Sequence, residues 1–301
     1  MLKKSNILAL VGGGTSPQFS KNKIVIWDDH QGKIMIQIRF NSYIIKVKLR
    51  EDCIISILEK RIYLLDINTL ETIDILDTFD NPNGIFSMSN ISNKLNIAFP
   101  QSKGKIQLEY YNIIKENFKK DETKIINAHE SFIAFLTLNN EGNVLATASD
   151  KGTLIRLFNV NNQEMIVELR RGTKNTTINC LAFDINTEFI ACTSEVGTVH
   201  IFDIHEINKL FEKNEDKNKA NNESYKKDKD KNKNTKLIKV KERSFAKFKV
   251  QEKKSILRFV QNNSFVVLTS DGKFYKAFFD TKDGIINKKN EKYNIEINEE
   301  K

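Results

Sequence analysis

A chain of 301 residues with a hydrophobic share of 40% and 20 phenylalanines has the apolar material for a real core, as two ordinary domains or one large all-β domain. Only 3 prolines and 12 glycines set aside collagen-like and proline-rich disordered classes. A formal net charge of +9 favours an anionic partner: nucleic acid, a phosphorylated protein or an anionic membrane leaflet.

Taken in chain order, the first apolar run ends at Gly12-Gly13-Gly14 with no small-residue cleavage site, which speaks against a secretory signal. Lys23-Ile24-Val25-Ile26-Trp27 and Lys33-Ile34-Met35-Ile36-Gln37-Ile38 read as strands. So do Val144-Leu145-Ala146-Thr147-Ala148-Ser149 and, later, Phe265-Val266-Val267-Leu268-Thr269. These runs are short, rich in β-formers and bounded by Asn, Asp, Gly and Lys. Before residue 206 there is no persuasive amphipathic helix, and the expected class is all-β.

A repeat shows through the strands. Ser149-Asp150-Lys151-Gly152-Thr153-Leu154-Ile155-Arg156-Leu157-Phe158 returns as Ser194-Glu195-Val196-Gly197-Thr198-Val199-His200-Ile201-Phe202. A looser third copy begins at Ser270-Asp271-Gly272. Several units close on an aromatic followed by an acid or amide: Trp27-Asp28, Phe158-Asn159, Phe202-Asp203 and Phe279-Asp280. A turn, a strand and a closing aromatic at a period of roughly 40–45 residues mark four-stranded propeller blades. The expected divisions are 1–40 (an incomplete blade), 41–80, 81–129, 130–173, 174–250 and 251–285, followed by a charged tail over 286–301.

The fifth division is long because a polar segment, 206–243, separates its third and fourth strands. It holds 13 Lys/Arg against 8 Asp/Glu, which is +5 of the chain's total, and it lacks the apolar surface to fold alone. Leu210, Phe211, Leu237, Ile238 and Val240 give it apolar anchors. The three cysteines, Cys53, Cys180 and Cys192, are odd in number and lack metal-ligand spacing, so neither a disulfide framework nor a zinc site is expected. A reducing cytosol fits them best. No run approaches the roughly 18 apolar residues of a membrane span, and membrane contact is expected to be peripheral.

Leu169-Arg170-Arg171-Gly172-Thr173, lying between two blades, resembles the Phe/Leu-Arg-Arg-Gly motif of the PROPPIN family of phosphoinositide-binding, WD40-like β-propellers. The resemblance extends to Leu8–Gly14, Asn22–Asp29, Ala128-His129-Glu130-Ser131, both Gly-Thr repeats and Arg243-Ser244-Phe245-Ala246. It implies a single propeller domain over 1–285, of the seven-bladed type, with blade one and part of blade two absent from this chain. It implies recognition of phosphatidylinositol 3-phosphate and/or the 3,5-bisphosphate, recruitment of autophagy or endosomal trafficking factors, and no cofactor. The resemblance places a first site at Thr147, Ser149, Gly152, Thr153, Arg156 and Arg170 with His129 as an extra donor. It places a second at Arg171, Gly172, Ser194, Thr198 and His200. The apolar anchors of the insertion become a membrane-contact loop.

The chemistry suits those residues. Adjacent side chains of an extended chain point oppositely, so two arginines can serve two pockets. Arginine also stays charged and presents planar donors to phosphate oxygens. Residue by residue, other roles stand beside these. The hydroxyls can cap turns, the histidines can stabilise blades, and Arg156 can pair with an acidic neighbour. A protein-binding scaffold without lipid binding is the alternative function. Nucleic-acid binding is disfavoured because the insertion mixes acids with lysines and offers only Phe211 and Tyr225 for stacking. No nucleophile elbow, phosphate-binding glycine loop or metal-spaced cluster suggests an enzyme.

Overall fold

The computed structural model describes residues 5–114, 117–207, 242–250, 252–261 and 263–294. Leu210, Phe211, Leu237, Ile238 and Val240, expected at a membrane, lie outside the described residues. Within these residues the regular elements are strands, apart from one short 3-10 turn at His205–Ile207. The chain divides into two compact units, Met1–Glu130 and Ser131–Lys301.

In the first unit β1 (Ile7–Val11), β2 (Lys23–Asp28) and β3 (Lys33–Arg39) form a three-stranded antiparallel sheet. A second sheet runs β4 (Ile44–Leu49), β5 (Cys53–Leu58), β6 (Arg61–Asp66), β7 (Thr72–Asp77). The third contains β8 (Ser87–Met88), β9 (Lys94–Ser102), β10 (Lys105–Ile114) and β11 (Asn117–Asn127). Strand β5 is buried along its whole length. Cys53, Ile55 and Ile57 pack with Ile97 and Phe99 of β9, whereas Ile54 and Leu58 pack with Ile24 and Ile26 of β2. Alternating side chains thus meet a different sheet on each face, which is why the strand reads as a continuous apolar run.

The second unit repeats the plan three times. Its sheets are β12 (Ile133–Leu138), β13 (Val144–Ser149), β14 (Leu154–Asn159), β15 (Met165–Arg170); then β16 (Ile178–Phe183), β17 (Phe189–Ser194), β18 (Thr198–Asp203), β19 (Ala246–Lys249). The last is β20 (Ser255–Gln261), β21 (Ser264–Thr269), β22 (Lys273–Phe279), β23 (Ile286–Asn294). From β17, Phe189 and Ala191 face Leu257, Phe265 and Phe279, while Ile190 and Cys192 face Ala146, Ala148 and Leu169. The expected charged tail therefore begins later than 286. The polar segment Ile286–Asn294 is an outer strand paired with β22. An outer strand needs main-chain partners on one side only, so its composition does not betray it.

The recurring aromatic-acid pairs have a local cause. The carboxylate or amide oxygen at the end of the next-to-last strand of a sheet accepts backbone N–H groups two or three residues on. Asp28 accepts His30 and Gln31, Asp66 accepts Asn68 and Thr69, Asn159 accepts Asn161 and Asn162, and Asp280 accepts Lys282. Four residues beyond each, the chain turns left-handed, at Gly32, Leu70, Gln163 and Gly284, with φ between 61° and 74°. These Asx turns are the hinge into the last strand of each sheet. Asp203 starts the same way, its carboxylate accepting His205 N–H, and the insertion follows.

Gly152 and Gly197 end the tight turns of the repeat, their N–H groups donating to Ser149 O and Ser194 O at 2.9 Å each. Their φ values are +60° and +72°, and a Cβ there would lie 1.8 Å from Thr176 O or 2.5 Å from Val250 O. Gly152, a first-site candidate, thus has a structural reason to be glycine. Strain and backbone collision together predict that Gly152→Ala or Gly197→Ala destabilises the fold by about 2 kcal/mol or more, measured as a fall in the denaturant midpoint. Gly172, whose φ is not positive and whose Cβ would meet nothing within 4 Å, should accept alanine without loss of stability.

Candidate functional site

Strand β15 delivers the arginine pair. Leu169, fully buried, joins the core shared with Ile178, Leu181 and Cys192 of the next sheet. Alternation then puts Arg170 on the opposite face, with Glu168, and returns Arg171 to the side of Leu169. Arg170 is exposed; its N–H donates to Glu242 O at 2.7 Å, and it bridges to Arg243, so the chain returning from the insertion runs beside the pair.

Arg171 is 7% exposed. Its Nε donates to Gly152 O at 2.7 Å, a second guanidinium nitrogen donates to Lys174 O, and its backbone N–H donates to Thr153 O. Both guanidinium acceptors are neutral carbonyls. Among the described residues Arg171 has no carboxylate partner, and burial pushes its pKa down. A buried cation without an acid is costly unless an anion arrives.

The facing sheet supplies the rest. Val199 and Ile201 of β18 point into the core toward β20–β23, so His200 points to the other face, where Cys192 and Lys247 are its cross-strand neighbours. His200 is buried, its Nδ1 lies 3.3 Å from Ser244 Oγ, and its ring stacks on Phe202. Burial, then the charges of Lys247 and Arg171, push its pKa down to about 4, so the imidazole is neutral at pH 7. Ser194 shares this face by alternation with Cys192; it is fully buried and its Oγ has no hydrogen-bond partner among the described residues. Thr198, half-buried, opens β18 opposite Lys249. Beside them Gly172 faces open space. Two cations, a neutral imidazole and a hydroxyl gather here, and among the described residues none of them is paired to an acid. Such a set can hold an anion.

The first-site candidates differ. Thr147 and Ser149 of β13 and Arg156 of β14 share one face, with Thr147 directly opposite Arg156. Thr147 Oγ1 donates to Arg156 O at 3.3 Å, and Ser149 O holds the Gly152 turn. Arg156 Nε pairs with Glu168 Oε2 at 2.8 Å, the acidic neighbour that the sequence left open. Thr153 contributes its carbonyl to the Arg171 and Gly172 N–H groups. His129 lies in the first unit, where its N–H donates to Gly104 O at 3.0 Å. Lys247 and Ser244 were missed in the sequence. The signal for Lys247 is the alternation Ala246-Lys247-Phe248-Lys249, buried and exposed by turns.

A family model described as PROPPIN matches residues 5–285. Autophagy-related protein 18e of Arabidopsis thaliana is 32% identical over 287 residues, covering 94% of this chain and 72% of that protein. SVP1-like protein 2 of Emericella nidulans is 35% identical over 206 residues, covering 68% of this chain and 62% of the relative. Among solved structures, Kluyveromyces lactis Hsv2 superposes with a TM-score of 0.70 at 18% identity, covering 95% of this chain and 82% of that one. A complex of KlAtg21 with the coiled-coil of AgAtg16 superposes at 0.68 and 19% identity, covering 96% and 83%. These likenesses fix the fold as a β-propeller.

His200 also sets a pH dependence. Its folded pKa is depressed, so the unfolded chain takes up a proton that the fold refuses. Stability is fully present above the ordinary histidine value of about 6.5, and is lost as pH falls toward about 4. His200→Asn should flatten that limb of the stability–pH curve, and a histidine NMR titration should show the His200 midpoint rising in Lys247→Gln.

Proposed function

Because the chain belongs to the PROPPIN family, we propose that it is a peripheral membrane effector that binds 3-phosphorylated phosphoinositides through Arg171 and its neighbours. The ligands are phosphatidylinositol 3-phosphate and/or the 3,5-bisphosphate. The observation that carries this reading is the buried, acid-free Arg171 guanidinium facing His200, Lys247 and the unpartnered Ser194 hydroxyl. A phosphate would supply the missing negative charge, accept from arginine and serine, and stabilise a proton on His200. Gly172, free of any steric demand from the protein, leaves room for a headgroup.

Arg170, Arg156, Thr147 and Ser149 form the second half of the proposal, on the opposite face. There Glu168 already neutralises Arg156, so this half holds phosphate less tightly than the Arg171 half until Arg156 is released. Lysines of the insertion add attraction to an anionic leaflet, worth about 1 kcal/mol each near the surface. Modest contacts at one membrane act together through effective concentration. The names of the relatives, and the neighbour in complex with a coiled-coil, support recruitment of an autophagy-related protein partner. No helix of the described residues is long and apolar enough to cross a membrane.

Flotation with vesicles containing phosphatidylinositol 3-phosphate tests the reading. Arg170→Ala/Arg171→Ala should abolish lipid-dependent flotation while the protein stays folded by circular dichroism. Ser194→Ala removes an unsatisfied buried hydroxyl, so it should leave stability unchanged or raise it by up to about 1 kcal/mol while weakening binding. A folded parent that floats no better with the phosphoinositide than without it would overturn the proposal in favour of a protein-binding scaffold.

A further inference from the structure

Strand β19 returns the chain from the insertion and reads Ala246-Lys247-Phe248-Lys249. Ala246 and Phe248 are 4% exposed each and pack toward the β20–β23 sheet with Phe265 and Leu257. By alternation the two lysines stand on the other face, the one that carries His200 and Ser194. Register is specific about their neighbours. Lys247 is directly opposite His200, and Lys249 is directly opposite Thr198. Side chains so placed have Cβ atoms about 5 Å apart, well within reach of one ligand group.

The preceding sheet provides a comparison inside the same molecule. There the third-strand residue in the place of His200 is Arg156, opposite Thr147 as His200 is opposite Cys192. The outer-strand residue facing it is Glu168, paired to Arg156 at 2.8 Å. At the same position of the next sheet the acid has been replaced by Lys247. Among the described residues neither Lys247 nor Lys249 forms an ion pair, although both are exposed. Cations set side by side, opposite a third at Arg171, repel one another and lower stability in the empty state. The arrangement makes physical sense around a multiply charged anion.

We infer that Lys247 and Lys249 form the outer wall of the Arg171 site and select a headgroup bearing two phosphates over one bearing a single phosphate. This rests on the phosphoinositide reading above. Arg171, on one sheet, holds the first phosphate; the lysine pair, on the outer strand of the next sheet, meets the second. A headgroup with one phosphate satisfies Arg171 and leaves the lysines to solvent. Lysine suits this task because its flexible stem carries a point charge and adapts to either ring position.

The experiment measures binding of the full chain to phosphatidylcholine vesicles doped with phosphatidylinositol 3-phosphate, with the 3,5-bisphosphate, or with phosphatidylserine matched in charge. Lys247→Gln/Lys249→Gln should lose about tenfold in affinity for the bisphosphate vesicles and no more than about threefold for the monophosphate vesicles. Lys247→Arg/Lys249→Arg should retain the preference. Lys21→Gln/Lys33→Gln, which removes the same charge from exposed positions in the first unit, should change neither by more than about twofold. Equal losses on all three vesicles, or none, would overturn the selectivity assigned to the lysines. If the lysine variant binds like the parent while Arg171→Ala does not bind, only this inference falls. If the folded parent prefers neither phosphoinositide to phosphatidylserine, the underlying reading falls with it.

Discussion

A strand whose successive side chains are all buried needs packing on both faces, and β5 and β17 are such strands, each with a sheet on either side. From that requirement the rest follows. A lone four-stranded meander would leave one row of Ile, Leu, Val or Phe in water, at about 1.5–3 kcal/mol for each large side chain. Each sheet must therefore be followed by another, and short antiparallel connections keep them in chain order. Among the polar residues that concern function, Arg170, Arg171, Lys247 and Lys249 lie on or just beyond outer strands, while Arg156 and His200 sit on the third strands next to them. Arg170–Arg171 leaves β15 where the core ends.

Equivalent positions in successive sheets have been turned to different electrostatic ends. Arg156, His200 and Tyr275 occupy the same register place in β14, β18 and β22. Arg156 is quenched by Glu168, and His200 sits among cations. Beside Tyr275, Lys273 is clamped between Asp271 and Glu252, an acid near the turn of the last sheet. One backbone frame thus presents a neutralised arginine, a histidine among unpaired cations and a closed salt-bridge cluster. In the middle one the buried hydroxyl of Ser194 has no hydrogen-bond partner among the described residues and stands beside cations that no acid neutralises there. Charge placed on a repeated scaffold decides which gap between sheets can bind an anion.

The fold was legible because its rules are local. Alternation, the Ser-x-x-Gly turn and the aromatic-acid closure each depend on residues within a few positions of one another, and all three are visible without coordinates. The strand Ile286–Asn294 escaped because main-chain pairing leaves little trace in a polar outer strand. Of the candidate site, Arg171, Ser194 and His200 were legible only through the resemblance to the family, which rests on the Leu-Arg-Arg-Gly motif and the Gly-Thr repeat beside it. Gly152 was legible as important, but its left-handed φ and the nearness of Thr176 O make it a turn residue. The ion pair of Arg156 with Glu168 and the register of Lys247 against His200 depend on strand offset, and a bulge between Leu157 and Phe158 shifts such offsets by one.

The pairing of β19 with β18 bears on the order of folding. Elsewhere each strand of the second unit meets a sheet partner only a few residues away, and such hairpins close on the timescale of microseconds. The last strand of this one sheet must find its place across residues 208–241, and closing a longer loop slows the search. On the ribosome, β16, β17 and β18 are made first and β19 must wait. The outer wall bearing Lys247, Lys249 and Ser244 is therefore the late-forming part, and the chain acquires its full cationic groove only after the core of that sheet is in place.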